Sequence, residues 1–154
     1  MPVKDPDIHA DILYTEKIVA LLHVNHPLAQ NKFVFLSDLK NEEFILFPRG
    51  CILQKIVEDA CKQAGFLPNI TSEGEEMDAI KGLVSAGIGV SLLPESTFYE
   101  GTTPLSTVTV PVKMPEITRT IGIITPKSRA LAPSEQIFYE FSKNCFPNLV
   151  VYTD

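Results

Sequence analysis

FILFPRGCILQKIVEDACKQAGFLPNITS, residues 44–72, is the stretch that decides the fold. Its first four residues (FILF) form an apolar run of strand length, buried on both faces and halted by Pro48-Arg49-Gly50. The period then changes. Leu53, Ile56, Val57, Ala60, Cys61 and Ala64 fall on one helical face, with Gln54, Lys55, Glu58, Asp59 and Lys62 largely opposite. Gly65 supplies a left-handed stop and Pro68 follows it. Residues 69–72 (NITS) read as the next short strand. Strand, helix and strand in this order make one β-α-β unit.

The same reading extends outward. Tyr14 to Val24 (YTEKIVALLHV) is β-rich and nearly continuous in apolar residues after Lys17, as in a strand covered on both faces, and Asn25-His26-Pro27 stops it. Glu75 to Ser85 is a second amphipathic helix with Met77, Ile80, Leu83 and Val84 inward, and Glu73, Glu75, Glu76 and Asp78 crowd its start. Gly87-Ile88-Gly89 turns the chain into Val90-Ser91-Leu92-Leu93, a strand ended by Pro94. Residues 105–110 alternate in part, as a more exposed strand does, and residues 118–125 (TRTIGIIT) form another before Pro126. A last helix starts at Pro133, carries Ile137, Phe138, Phe141 and Cys145 on one side, and is closed by Pro147. Residues 100–104 are the one candidate linker. The order ββαβαβββα contains at least two β-α-β units, which is an α/β class.

At 154 residues the chain makes one compact domain or two small lobes sharing a core. With 45% hydrophobic and 21% charged residues it is neither disordered nor collagen-like nor disulfide-stapled. Thirteen basic against nineteen acidic residues give a net charge of -6, which disfavours nucleic acid or an anionic membrane as a direct partner. No apolar run reaches spanning length, and the first residues lack the apolar core of a signal peptide, so a cytoplasmic location is expected. Cys51, Cys61 and Cys145 are an odd number without zinc-site spacing and read as small apolar residues in a reducing compartment.

No enzyme motif is present. Gly82, Gly87 and Gly89 do not make GxGxxG, and Ser91 sits in GVSLL rather than GxSxG. His23 and His26 fit local hydrogen bonding better than metal ligation. The pairs Glu42/Glu43 and Glu75/Glu76 fit loop and helix-start charges better than an acid–base couple. No metal or cofactor is implied. A binding site has more support. Pro48, Arg49, Gly50, Cys51 and Ile52 join the carboxyl end of a buried strand to a helix start, where unpaired N–H groups suit a carboxylate or phosphate and Arg49 can clamp it. The same residues also fit an ordinary turn with Arg49 solvated. Ser72 and Glu73 head a second such junction, with N–H groups and a hydroxyl to offer but with carboxylates that repel an anion.

The combination resembles a known family. His26-Pro27-Leu28-Ala29 after a long β-run, Asp38-Leu39, the helix ending at Ala64–Pro68, and GLVSAGIGVSLLPES (82–96) are followed by RTIGII (119–124) and Leu131–Ser134. This is similar to the effector-binding domain of LysR-type transcriptional regulators over residues 8–146. The wording SEGEEMDAIKGLVSAG (72–87) and LFP-x-G (46–50) resembles the branch that activates the glutamate synthase operon in Gram-positive bacilli.

The resemblance implies a periplasmic-binding-protein-like (type 2) fold: one complete Rossmann-like subdomain plus part of a second, joined by two crossover strands, with a small effector in the cleft. On that template residues 1–24 are an N-terminal segment and first crossover, 25–115 the complete subdomain, and 116–154 the return strand and the C-terminal helix of the incomplete one. The effector wall maps onto Pro48, Arg49, Gly50, Cys51 and Ile52, with Ser72 and Glu73 at the second junction. A small carboxylate such as 2-oxoglutarate or glutamate is the implied effector, and a homo-oligomer the implied assembly. DNA is reached only through a helix-turn-helix domain that these residues do not contain. Helix 133–146 is expected to leave apolar surface bare. A stand-alone solute-binding lobe and a small α/β enzyme are the alternatives, opposed respectively by the free cysteines and by the absence of a nucleophile–base pair.

Overall fold

The computed structural model describes residues 5–98 and 106–146. The chain divides into two compact units, Met1–Glu16 with Arg119–Asp154, and Lys17–Thr118. The candidate linker at 100–104 lies outside the described residues.

In the second unit the core is a mixed sheet. Strand β1 (Ile8–His23) pairs antiparallel with β5 (Ser91–Pro94) on one side and with β6 (Thr107–Lys113) on the other. A two-residue strand β2 (Val34–Phe35) runs parallel to β6 at the edge. Strands β3 (Glu43–Leu46) and β4 (Asn69–Glu73) form a parallel ladder. The Phe44–Val90 bridge joins that ladder to the residue entering β5. There the Ile45 N–H donates to Val90 O (2.9 Å) and the Val90 N–H to Glu43 O (2.8 Å). Read across, the order is β4, β3, β5, β1, β6, β2.

Alternation along these strands sorts side chains onto two faces. Phe44, Leu46, Ala20, Leu22 and Leu92 pack with Leu53, Val57, Ala60 and Cys61 of helix α1 (Ile52–Gln63). Ile45, Leu21 and Leu93 pack with Ile80 and Val84 of helix α2 (Met77–Ser85). Burial on both faces is why β1 and β3 carry unbroken apolar runs.

Several expectations are corrected. β1 begins at Ile8, not Tyr14, because its first part alternates between half-buried and exposed residues and so lacks a continuous apolar run. β6 lies between β1 and β2, with Thr107, Val110 and Val112 buried, and is not a mostly exposed strand. α2 starts at Met77 rather than Glu75. The Gly74 N–H first donates to Leu46 O (3.0 Å), and a Cβ on Gly74 would collide with Ile80, so the turn closes on β3 before the helix begins. Gln54 and Lys81, read as polar-face residues or not singled out, are both buried. The Lys81 ammonium donates to Thr97 O (2.7 Å) and stands over the Phe98 ring.

In the first unit, β7 (Thr118–Pro126) pairs with β1 and α3 (Pro133–Cys145) is fixed by specific polar contacts. The Tyr139 hydroxyl donates to Asp11 (2.6 Å), which holds that carboxyl below its ordinary value, and Tyr14 stacks on Phe146. Glu135 accepts two hydrogen bonds from Arg129 and one from the Ala132 N–H, which take its carboxyl down to about 2. The other side of α3 is bare, with Ile137, Phe138 and Phe141 all more than half exposed.

The cysteines are free. Cys61 is fully buried, and burial, with the charge of Glu58 adding, pushes its thiol up to about 12. Its reactive thiolate is therefore absent at pH 8. Maleimide should label Cys51 and Cys145, both half-buried, in the native chain and Cys61 only after denaturation, as read by mass of the labelled peptides.

Candidate functional site

β3 is flanked by β4 and β5, and the helices that follow β3 and β4 cover opposite faces of the sheet. The crevice outside the carboxyl end of β3 is thus a switch point, the place where open α/β sheets hold ligands. The chain leaves β3 at Leu46 and enters α1 at Ile52. Gly50, at φ +98°, supplies the left-handed step that the turn needs.

Cys51 is the N-cap residue of α1 in extended conformation and gives the helix no side-chain cap. Its own N–H is taken by Pro48 O (3.1 Å), and its carbonyl accepts the first helical bond from Lys55 (3.3 Å). The N–H groups of the first turn, Ile52 to Gln54, therefore carry the helix's partial positive charge without an acceptor from the cap.

An open groove of about 500 Å³ runs from this end along α1. Arg49, Gly50, Cys51, Ile52, Gln54 and Lys55 line its first half, and Glu58, Asp59 and Lys62 its second. The second half is internally balanced, since Lys62 lies 3.7 Å from Asp59 and 3.9 Å from Glu58. Arg49 and Lys55 pair with no described carboxylate, so the first half is positive. That distribution suits an anion at the helix start.

Arg49, Gly50, Cys51 and Ile52 meet in this groove. Pro48 does not line it but fixes the turn through the Cys51 N–H. Ser72 and Glu73 stand at the same end of the parallel pair, in register with Ile45 and Leu46, but outside the groove. Gln54 is the lining residue that the periodicity missed. It sits three residues after the N-cap, where a glutamine ordinarily reaches back to the cap N–H, and that position was its one available signal.

The other candidates are spent on structure. The Ser91 hydroxyl is buried and donates to Ile45 O (2.7 Å). His26 Nδ1 accepts from the Leu28 N–H (3.1 Å) and its Nε2 lies 3.4 Å from Glu42. His23 Nδ1 accepts from the Asn25 N–H (3.2 Å). Among the described residues no three His, Cys, Asp or Glu side chains gather as a metal site, and no helix is long and apolar enough to cross a membrane.

Comparison with known proteins agrees with this architecture. The family model of the LysR substrate binding domain matches residues 1–146. The transcriptional dual regulator GltC of Bacillus subtilis is 56% identical over 152 residues, covering 99% of this chain and 50% of GltC. An uncharacterized HTH-type transcriptional regulator of the same organism, YybE, is 33% identical over 129 residues, covering 84% of this chain and 43% of YybE. The chain thus spans about half the length of the curated relatives it matches. Among solved structures, the BenM effector binding domain with benzoate superposes with a TM-score of 0.80 at 27% identity, over 96% of this chain and 67% of that one. The Synechocystis CcmR regulatory domain in complex with 2-PG reaches 0.86 at 19% identity, over 97% and 72%. Both curated relatives are transcriptional regulators, and both solved neighbours are regulatory or effector-binding domains. On the family model over residues 1–146 and the match to GltC, the chain belongs to the LysR family of transcriptional regulators, as its substrate-binding domain.

Proposed function

We propose that this chain is the ligand-sensing part of a LysR-type transcriptional regulator, and that a small carboxylate seated at the start of α1 controls DNA binding by the full-length protein. The observation that carries the site is the uncapped helix start beside Arg49, which pairs with no described carboxylate, at the carboxyl end of β3. The effector's carboxylate lies on the N–H groups of Ile52 and Leu53, and the Arg49 guanidinium closes over it from Gly50's side. Benzoate on the BenM domain and shikimate on the QuiR domain are carboxylates bound by fold neighbours, which supports that class of ligand.

Likeness to GltC supports control of glutamate synthesis genes, with 2-oxoglutarate or glutamate as effector. The regulator works in the cytoplasm as a homo-oligomer, and the bare apolar side of α3 supports burial against further protein. DNA is contacted through a helix-turn-helix outside these residues.

Calorimetry on the purified regulator tests this. One of the two acids should bind, and Arg49→Ala should weaken it about tenfold or more, the loss of a charge-assisted pair. Equal binding by wild type and Arg49→Ala would remove the site assignment. No binding of either acid would remove the effector class.

A further inference from the structure

Gln54 is 4% exposed, and its Nε2 is the buried side-chain polar atom without a hydrogen-bond partner among the described residues. A buried amide is normally satisfied, and an orphan asks for an explanation. Gln54 is among the residues that line the positive half of the groove, beside Cys51 and Lys55, with its Nε2 just beneath the surface. Two independent features therefore converge on one end of one groove: the uncapped first turn of α1 and an uncommitted buried donor on its third residue.

We propose that Gln54 is a ligand-contacting residue that sets specificity, its carboxamide turning into the groove on binding so that Nε2 donates to a second acceptor on the molecule whose carboxylate sits at the α1 start. This rests on the reading of that helix start as the effector site and deepens it. The first turn's N–H groups and Arg49 recognise one carboxylate and accept any small acid. The amide adds a demand that the ligand carry a further oxygen acceptor, a keto group or a second carboxylate, within one helical turn of the first. A simple monocarboxylate leaves the orphan as it is in the free protein. A bifunctional acid satisfies it. Selection by a buried polar group that must be answered is a strong form of discrimination.

The test compares 2-oxoglutarate with pentanoate, an unbranched five-carbon monocarboxylate, on wild type and Gln54→Leu. Leucine keeps the buried volume approximately and removes the unanswered donor. The expected result is about tenfold weaker binding of 2-oxoglutarate to Gln54→Leu, with pentanoate binding unchanged and the ligand-free Tm equal to or above wild type. Gln54→Met, more flexible in the same space, gives the same pattern if leucine does not fit. Unchanged 2-oxoglutarate binding overturns the proposal, and so does a Tm fall in both variants accompanied by equal loss for both acids, the mark of a structural role. Arg49→Ala separates the two readings. If it abolishes binding while Gln54→Leu does nothing, the site stands and the role of Gln54 falls. If neither acid binds wild type, both fall together.

Discussion

Gly89→Ala should destabilise the chain by about 3–4 kcal/mol, a large share of the roughly 5–15 kcal/mol that holds a domain together. A Cβ on Gly89 would fall inside contact distance of the Glu43 carbonyl oxygen, and would lie 3.2 Å from Glu43 C and 3.3 Å from Ile45 Cγ1. Two of these are backbone atoms of β3, which cannot swing aside as a side-chain tip can. Relief requires β3 and the entry to β5 to separate. That breaks the Val90-to-Glu43 and Ile45-to-Val90 hydrogen bonds, each worth about 1 kcal/mol, and opens the packing of Ile45 against Ile80 and Leu93. The same movement displaces the strand whose end carries Arg49, so binding at the proposed site should fall with stability. Gly82→Ala is the control. Gly82 lies inside α2 with nothing within 4 Å of the new methyl, so alanine should stabilise by about 1 kcal/mol through helix propensity. Urea unfolding of the two variants gives the opposite signs, and a Gly89→Ala loss under 1 kcal/mol would mean that the β3–β5 bridge is not rigid.

That glycine marks the limit of what periodicity reports. The strand runs at 44–46 and 91–93, the helix from Ile52 and its stop at Gly65 are local patterns, and each is legible because burial on both faces of a sheet or one face of a helix writes itself into residue spacing. β2 was not legible, since a two-residue strand has no period. Nor was the centrality of β6, because its neighbours β1 and β2 are far away in the chain and its alternation alone does not say what covers each face.

The proposed site was legible in part for the same reason. Pro48-Arg49-Gly50 announces a strand end, a cation and a left-handed turn in three letters. Gln54 was not, because a helical wheel assigns polar residues outward and takes no account of one that is buried beside Leu53 at the helix start. Lys81 repeats the lesson: its buried ammonium is satisfied by Thr97 O, sixteen residues away, a partner that no window along α2 contains.

Arg119→Leu should destabilise the first unit by about 3–5 kcal/mol, and replacing the partner more gently should not. The Glu16 side chain is fully buried on β1, and its Oε1 accepts from Arg119 Nε on β7, with the Thr15 and Thr120 hydroxyls 3.0 Å apart beside them. Glu16 closes the first segment of this unit and Arg119 opens its second, so the pair ties the two strands where both cross its boundary. Removing the guanidinium takes the Arg119 counter-charge from a buried carboxylate, the costly half of breaking a buried pair. Glu16→Gln keeps an oxygen acceptor for Arg119, which is about one quarter exposed and can draw on solvent for its charge, so its cost should stay near 1–2 kcal/mol. In the double variant Glu16→Gln/Arg119→Leu the buried carboxylate is itself replaced by a neutral amide, and it should be more stable than Arg119→Leu alone by roughly 2 kcal/mol. Chemical denaturation of the three variants and wild type closes the cycle. If the two single losses simply add in the double variant, the pair is uncoupled, and β1 and β7 are held at this boundary by their backbone ladder and not by charge.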